Sequence, residues 1–275
     1  MGSDSETFTW PALWASSAPV GEADMLLSLF ACPEGAVMVR AKGLRRPGSK
    51  LAHVFKPADE LQVSAVRGRT RMPVLTGASL GIAHPAWRED INLLALYWFV
   101  IECARLSSSS PAVNEQVYGL LVDLLRREPL THSSQVDALA DFGISLLSLH
   151  GLMPDLARCA IDGHLIEPDE PVHLLPSGEG IVGRDAYNHR YARTGAVLVR
   201  MDPARLARWR SMVAGTIRGS DSAAGDATDA ALVLHFTALR LAEATSQNMR
   251  TAAFLQQQWR LPSFQQVLAG QHSQP

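Results

Sequence analysis

The chain has 275 residues, of which 47% are hydrophobic and 19% charged; this suits a folded core in about two domains of roughly 150 residues and excludes a disordered chain. The longest apolar run covers nine residues, from Leu93 to Ile101, and so falls short of the ~20 residues that cross a bilayer. The first thirty residues contain no basic residue and the three cysteines are widely spaced, so we expect a cytoplasmic protein without a leader or a disulfide framework.

Basic residues are concentrated in one part of the chain. Between Gly35 and Arg88, ten basic residues stand against two acids, a net charge of +8, so the rest of the chain carries −10. The total of −2 therefore conceals a basic module joined to an acidic one. This distribution favours a polyanion as the partner of the basic module, and a well-solvated basic surface is the alternative.

The first third of the chain reads as short strands separated by turn residues. In residues 36–42 every second side chain is apolar, which leaves Arg40 and Lys42 together on the opposite face of the strand. Strands at such short intervals predict a small barrel or sandwich. The five strands are predicted at 24–31, 36–42, 51–56, 60–66 and 71–76.

From Trp87 onward the apolar spacing becomes that of helices. The first helix is apolar nearly all round, which predicts burial on every side, and the second has a clear amphipathic stripe. Residues 155–198 show no sustained period. We predict a domain of strands at 1–85 and a helical domain at 86–275 with an irregular segment at 155–198. The helices are predicted at 91–101, 113–125, 136–147, 203–217 and 230–258.

Residues 77–81, GASLG, match the G-x-S-x-G motif and raise a serine hydrolase with Ser79 as nucleophile. In that motif the serine occupies a strained turn between a strand and a helix. Here Pro85 opposes an immediate helix, and the upstream sequence lacks the strand–helix alternation of a hydrolase sheet. A hydrolase would need an acid and a histidine close to Ser79.

A second alternative is a zinc site in the irregular segment. Cys159, Asp162, His164, His173 and His189 all carry side chains that can bind zinc. A structural zinc site commonly draws on paired Cys-x-x-Cys ligands, whereas Cys159 stands alone here. Surface histidines of a loop are the simpler interpretation.

The basic residues of the first domain are the strongest candidates for a site. Arginine and lysine attract phosphates whatever the base sequence, and aromatic rings stack on unpaired bases. Phe30, Phe55, Trp10 and Trp14 lie nearby in sequence, although each is more simply a core residue. The candidate DNA-binding residues are Arg40, Lys42, Arg45, Arg46, Lys50, Lys56, Arg67, Arg69 and Arg71.

Residues 39–51, VRAKGLRRPGSKL, with Phe55-Lys56-Pro57 after them, resemble the signature of the RecO family of bacterial recombination mediators. Residues 25–30 upstream resemble the preceding strand of that family. Downstream, residues 155–159 and Gly163 resemble the start of its zinc segment. The resemblance implies an α+β fold, in which an N-terminal OB-fold barrel is followed by an α-helical domain.

The resemblance also implies a non-catalytic function in recombinational DNA repair. Members of this family bind single- and double-stranded DNA, anneal complementary strands and, with RecR, help RecA to displace single-strand-binding protein. We expect the same partners here, with no membrane, in a cytoplasmic protein associated with the nucleoid. An RNA-binding OB-fold protein is a further alternative.

The sequence departs from the family at the zinc segment. Zinc-binding members carry two Cys-x-x-Cys pairs, whereas this chain has Cys159 followed by Asp162, and then Gly183 and Ala186 near the second pair. We therefore predict a zinc-less remnant, with no metal and no cofactor.

A second departure concerns the acidic tail of single-strand-binding protein. Some members are implicated in gripping that tail with an Arg-Arg-Phe sequence, and here only Phe142 matches, after Ala140 and Asp141. Other cations would have to replace the arginines. The candidate partner-binding residues are Arg126, Arg127, Phe142 and Arg158.

Overall fold

The computed structural model describes residues 6–67, 72–127, 132–175, 177–191, 199–214, 226–263 and 266–267. The chain forms two compact units, residues 1–129 and 130–275. Within the described residues, the first unit contains five strands and three helices, and the second contains three short strands and five helices.

The five strands of the first unit close into a barrel. They pair in the order β1-β2-β3-β5-β4, and β4 returns to β1. All pairs are antiparallel except β3 and β5, which run parallel where Arg40 meets Val74. This partly parallel five-stranded barrel is the OB architecture, so the predicted fold class is confirmed. The strands are β1 (Glu6–Val20), β2 (Asp24–Ala31), β3 (Gly35–Ala41), β4 (Glu60–Arg67) and β5 (Val74–Leu80).

Alternating side chains along the strands fill the barrel. Val39 and Ala41 of β3 are buried, whereas Arg40 and, just beyond the strand, Lys42 are exposed. The two faces predicted for this strand are therefore confirmed. The rest of the barrel core includes Trp10, Ala12, Leu27, Leu29, Leu61, Val63 and Ala65.

The prediction of a strand at 51–56 is wrong, because the described residues between β3 and β4 contain no strand. Backbone hydrogen bonds of the i→i+3 type follow one another from Gly43 to Val54, so this segment is a series of tight turns. Leu51, Val54 and Phe55 pack against the barrel core. Their spacing of three and four residues places them on one side of a turn, whereas a strand would send them to opposite faces.

The fifth strand is instead β1, which the sequence pattern does not predict. Pro11 and Pro19 lie inside it, and proline lacks the N–H group that a central strand needs. Residues 6–13 of the strand pair with β4 and residues 12–20 pair with β2, and the pairing with β2 shifts register between Trp14 and Ser16. The last predicted strand, 71–76, also begins later than expected, at Val74.

Three helices complete the first unit. Most of α2 is buried, as its apolar sequence predicts, and its start is fixed by the Asp90 side chain, which accepts the N–H of Asn92. The first compact unit extends to residue 129, whereas the sequence predicts that the domain of strands ends at residue 85. A functional division at residue 85 stays a prediction. The helices are α1 (Ala86–Glu89), α2 (Ile91–Leu106) and α3 (Pro111–Leu125).

The second unit is built on the packing of α4 against α7, with a small sheet in the order β7-β6-β8 beside them. Gly143 of α4 lies against Thr237 of α7, where the two helices approach closely. The elements are α4 (His132–Leu149), β6 (Val172–Leu174), β7 (Ile181–Val182), α5 (Arg184–Arg190), β8 (Val199–Met201), α6 (Pro203–Val213), α7 (Ala227–Thr245) and α8 (Thr251–Gln258).

Two expectations for this unit need correction. The segment 155–198 is not wholly irregular, because it contains β6, β7 and α5. The single helix predicted at 230–258 is two helices, since Ser246 adopts a left-handed conformation with φ of 55°. A left-handed residue interrupts the i→i−4 ladder and so ends α7.

Candidate nucleic-acid interface

The cations that follow β3 lie on a folded loop. We define the basic loop as residues 42–56, between β3 and β4. Leu44 is buried, and Leu51, Val54 and Phe55 pack on the barrel core, so the loop is fixed to the barrel at several points. Its charged side chains point outward between these anchors. The exposed cations of the loop are Lys42, Arg45, Arg46, Lys50 and Lys56.

An acid from β2 organises the start of the basic loop. Arg40 Nε donates to Asp24 Oδ2 over 2.9 Å, and the Gly43 N–H donates to Asp24 Oδ1 over 2.8 Å. These two hydrogen bonds, from Gly43 and then from Arg40, hold the pKa of the Asp24 carboxyl below its ordinary value. Arg40 is therefore partly neutralised, which the absence of acids between Gly35 and Ala58 in sequence does not reveal.

The basic loop also lies against the turn between β1 and β2. The Arg45 N–H donates to the Ala23 carbonyl over 2.9 Å, and the Arg45 guanidinium reaches the Gly21 carbonyl at 3.4 Å. In OB-folds the face of strands 2 and 3 and the loop between strands 1 and 2 are common sites of oligonucleotide binding. The structure brings the predicted cations Arg40, Lys42 and Arg45 to this part of the barrel.

The only two acids of the basic stretch are engaged elsewhere in the first unit. Asp59 pairs with Arg88, and Glu60 accepts two bonds from Arg126, at 2.9 and 2.7 Å. His84 Nε2 lies 3.1 Å from the same Glu60 carboxylate. The two carboxylates are buried, and their pairing with Arg88 and the half-exposed Arg126 links α1 and the end of α3 to the barrel. Neither acid is left to balance the charge of the basic loop. This network is not apparent from the sequence, where its only signal is the isolated pair Asp59-Glu60.

Arg67 has a local partner at the end of β4. Its guanidinium lies 3.3 Å from the Glu6 carboxylate and 4.6 Å from the centre of the Phe8 ring, which in turn stacks on Trp10. Arg67 is therefore engaged with an acid and a ring of β1. The last two candidate cations, Arg69 and Arg71, lie outside the described residues.

The aromatic side chains near the basic loop belong to the core. Phe30 and Trp10 are buried, and Phe55 packs on the barrel core. Trp14 meets Trp98 of α2 edge to face, with ring centres 5.6 Å apart. The basic loop therefore offers cations and no described base-stacking ring, so its chemistry suits phosphate more than bases.

Ser79 does not stand on a nucleophile elbow. It lies within β5 opposite Gln62 of β4, and the chain continues beyond it as strand to Leu80. The elbow requires a tight turn from strand into helix at the serine itself. His84, the nearest histidine in sequence, contacts Glu60.

Among the described residues, the three side chains of the irregular segment that could bind a metal together form an ionic cluster. Ligand atoms of Cys159, Asp162 and His164 lie within 4.8 Å of one another. The His164 ring, however, meets Asp162 at Nδ1 over 2.6 Å and Glu170 at Nε2 over 3.5 Å. A ring between two carboxylates is favoured as the imidazolium, which cannot bind a metal.

The second half of a zinc module has no place in this cluster. A Cβ added at Gly183 would lie 2.5 Å from Glu170 Oε1 and 2.6 Å from His164 Cε1. Glu170 also faces the ring nitrogen opposite the one that Asp162 contacts, so both carboxylates cannot join His164 on one metal ion. The described residues do not fit a four-ligand zinc site.

The four candidate partner-binding residues have different surroundings. Phe142 is 2% exposed, and Ala140 and Asp141 beside it are buried, so this turn of α4 faces the core. Arg126 is paired with Glu60. Arg127 is half-buried, and Arg158 is exposed and donates to the Gly163 carbonyl.

No helix among the described residues combines the length and the apolar character needed to span a membrane.

Comparison with known proteins agrees with this architecture. The family model Recombination protein O N terminal matches residues 7–81, and Recombination protein O C terminal matches residues 88–194. The proteins named DNA repair protein RecO from Myxococcus xanthus and Desulforudis audaxviator are 28% identical over 158 residues and 30% identical over 173 residues. These alignments cover 58% and 63% of this chain, and 64% and 68% of the two relatives. The chain belongs to the RecO family of DNA repair proteins.

Proposed function

We propose that this protein binds single- and double-stranded DNA through the basic loop and anneals complementary strands. The observation that carries this proposal is the set of exposed cations between Lys42 and Lys56, anchored to the barrel and not balanced by the nearby acids Asp59 and Glu60. Phosphate contacts of this kind are independent of base sequence. A mediator that must act on any strand needs this property.

Annealing follows from charge neutralisation. Two strands repel each other through their phosphates, and cations that bind both backbones lower that repulsion. Because the basic loop is fixed to the barrel by Leu44, Leu51, Val54 and Phe55, its cations need little further ordering on binding. Chemistry on the DNA is not part of this function, so the protein acts as a non-catalytic mediator.

In recombination, the protein would act on strands coated with single-strand-binding protein and, with RecR, favour the loading of RecA at the nucleoid. Docking of the acidic tail would use Arg127 or Arg158, since Arg126 holds Glu60 and Phe142 is buried. A tail peptide that binds the Arg127→Ala/Arg158→Ala variant as tightly as the parent chain would exclude both residues.

The lysines provide a direct test of the interface. All three lysines of the chain, Lys42, Lys50 and Lys56, lie in the basic loop. Acetylation of the full chain with an amine-reactive reagent, with and without a 30-nucleotide single strand, should show protection of all three by mass spectrometry. Equal labelling in both conditions would contradict binding at this loop. The chain's α-amino group serves as the internal reference.

The functional assay measures annealing of two complementary fluorescent oligonucleotides. Arg45→Ala/Arg46→Ala should slow annealing, whereas Arg250→Ala, an exposed arginine of the second unit, should not. Equal rates for the parent chain and the double variant would remove the basic loop from the mechanism. The same assay with RNA strands separates this function from that of an RNA binder, since a preference for the 2′-hydroxyl would favour RNA.

A further inference from the structure

Three aromatic rings form a continuous stack in the second unit. His173 of β6 and Tyr187 of α5 lie face to face, with ring centres 3.6 Å apart and planes 7° from parallel. Tyr191, at the end of α5, continues the stack at 6.4 Å and 20° from Tyr187. All three side chains are partly exposed. The stack is therefore a surface feature and not part of the buried core.

Hydrogen bonding does not explain the histidine in this stack. Among the described residues, His173 Nδ1 is buried without a hydrogen-bond partner. Burial, with a smaller effect of Arg200, lowers the pKa of His173 to about 4, so the ring is neutral at physiological pH. A neutral, flat imidazole on a tyrosine at 3.6 Å behaves as one more aromatic ring. Its role here is stacking.

Three arginines lie on the same two elements as the aromatic stack or on the strand next to it. Arg184 and Arg190 lie three residues before and after Tyr187, which places all of them on one side of α5. Arg200 of β8 pairs with His173 across the small sheet. All three arginines are exposed. Cations beside partly exposed rings are the combination by which proteins hold single strands, since phosphates meet the arginines and bases stack on the rings.

We propose that this aromatic face, made of His173, Tyr187, Tyr191, Arg184, Arg190 and Arg200, binds unpaired bases of single-stranded DNA. It deepens the proposed function and rests on it: the basic loop binds the backbone of either DNA form, and the aromatic face adds a site for a single strand in the other unit. A molecule with two strand sites can hold both partners of an annealing reaction. Duplex DNA gains nothing from the aromatic face because its bases are already stacked.

Photocrosslinking tests this site in the unaltered chain. A single strand that carries 5-iododeoxyuridine, irradiated in complex with the full-length protein, should crosslink to Tyr187 or Tyr191, as mapped by mass spectrometry. Crosslinks confined to the first unit would overturn the aromatic face while leaving the proposed function intact. Absence of DNA binding by the parent chain would overturn both.

Affinity measurements supply the energetic test. At about 0.3 M salt, where phosphate contacts are weakened, Tyr187→Leu/Tyr191→Leu should lose roughly tenfold in affinity for a thymidine 20-mer and little for duplex DNA. Phe254→Leu, an exposed aromatic of α8, is the matched control and should bind as the parent chain does. Tyr187→Phe should retain binding, which separates stacking from loss of fold. Unchanged single-strand affinity in the double variant, or loss of a protein partner instead, would refute the proposal.

Discussion

The carboxylate of Asp24 lies 2.8 Å from the guanidinium of Arg40, and the same carboxylate accepts the N–H of Gly43. The Asp24 side chain thus links the end of β3 to the first residues of the basic loop. One acid both restrains this backbone and lowers the charge available to a polyanion. We infer that Asp24 orders the start of the basic loop and at the same time weakens the binding of DNA phosphates by Arg40.

Replacing Asp24 by Asn separates these two effects. The amide oxygen of Asn can still accept the Gly43 N–H, but the negative charge that holds Arg40 is gone. Arg40 should then contact one more phosphate, so the slope of log affinity against log salt should steepen by about 0.7 for single strands. Fluorescence anisotropy at several salt concentrations measures that slope.

The control for this variant is Glu34→Gln, an exposed acid just before β3. It removes the same charge without releasing Arg40 and should leave the slope unchanged. If both variants behaved alike, the gain would reflect net charge alone and the pairing of Asp24 with Arg40 would have no functional consequence.

The second prediction concerns the salt dependence of DNA binding by the basic loop. If about four phosphates are neutralised, the parent chain should show a slope of roughly −3 with single strands. Arg45→Ala/Arg46→Ala should reduce its magnitude by roughly one to two units and weaken all base sequences alike, since phosphate contacts carry no base information. The fold should be nearly unaffected because both side chains are exposed. Undiminished affinity at low salt would show the loop to be only a solvated surface.

Side-chain alternation predicts β3 and β4 well, because each has one face toward the barrel core and one toward solvent. β2 is predicted instead from its apolar sequence, and its residues from Leu27 to Ala31 are all buried. Alternation fails at β1, whose prolines and register shift between Trp14 and Ser16 disguise a strand shared by two neighbours. It also fails at residues 51–56, where Leu51, Val54 and Phe55 reach the core from a turn.

The sequence predicts the cations of the site but not the contacts that neutralise some of them, because these contacts join residues far apart in the chain. The cations of the basic loop are visible in the sequence because no acid lies between them. Their balance depends on the pairing of Arg40 with Asp24 and of Arg126 with Glu60, over separations of 16 and 66 residues. Such pairs follow only from the register of β2 with β3 and from the docking of α3 on the barrel.

The third prediction concerns metal content. His164 lies between Asp162 and Glu170, and Gly183 has no room for a ligand side chain, so the second unit should fold without zinc. Elemental analysis of protein purified without a chelator should give well below one zinc per chain. A stoichiometric zinc that is lost in Cys159→Ser would contradict this prediction.

The fourth prediction is a pH dependence of the same cluster. Hydrogen bonds from Cys159 and then His164 lower the pKa of Asp162 to about 2, and Asp162 raises the pKa of His164 above its ordinary value. Ionised Asp162 therefore stabilises the folded state above about pH 4, and this stabilisation is lost as pH falls toward 2. The His164 contribution is present below about pH 6.5 and is lost as pH rises through its elevated pKa.

The cluster should therefore stabilise the fold most between about pH 4 and 6.5. His164→Gln should lower the melting temperature by about 1 to 3 °C at pH 5.5 and by less at pH 9, a small effect because the pair is half-exposed. His53→Gln, an exposed histidine of the basic loop, is the control. A difference that stayed constant from pH 5.5 to 9 would show that the imidazolium contributes nothing.

The last prediction tests the packing of α4 on α7 with two glycines. A Cβ at Gly143 would lie 2.6 Å from Thr237 Oγ1 and 3.0 Å from Val233 Cγ1, both on buried side chains, whereas a Cβ at Gly119 of α3 meets nothing within 4 Å. Alanine normally stabilises a helix interior relative to glycine by about 1 kcal/mol. Gly119→Ala should show that gain in denaturant unfolding, and Gly143→Ala should instead destabilise by about 1–3 kcal/mol because the helices are forced apart.

A double-mutant cycle decides whether the clash is with Thr237. Among the described residues the Thr237 hydroxyl is buried without a hydrogen-bond partner, so removing it forfeits no bond that the structure shows. Gly143→Ala/Thr237→Ala should therefore recover part of the stability lost in Gly143→Ala. The tight contact that remains is the one with Val233 Cγ1, at 3.0 Å. Additive free energies of unfolding for the two single variants would mean that Gly143 is required for a reason other than its contact with Thr237.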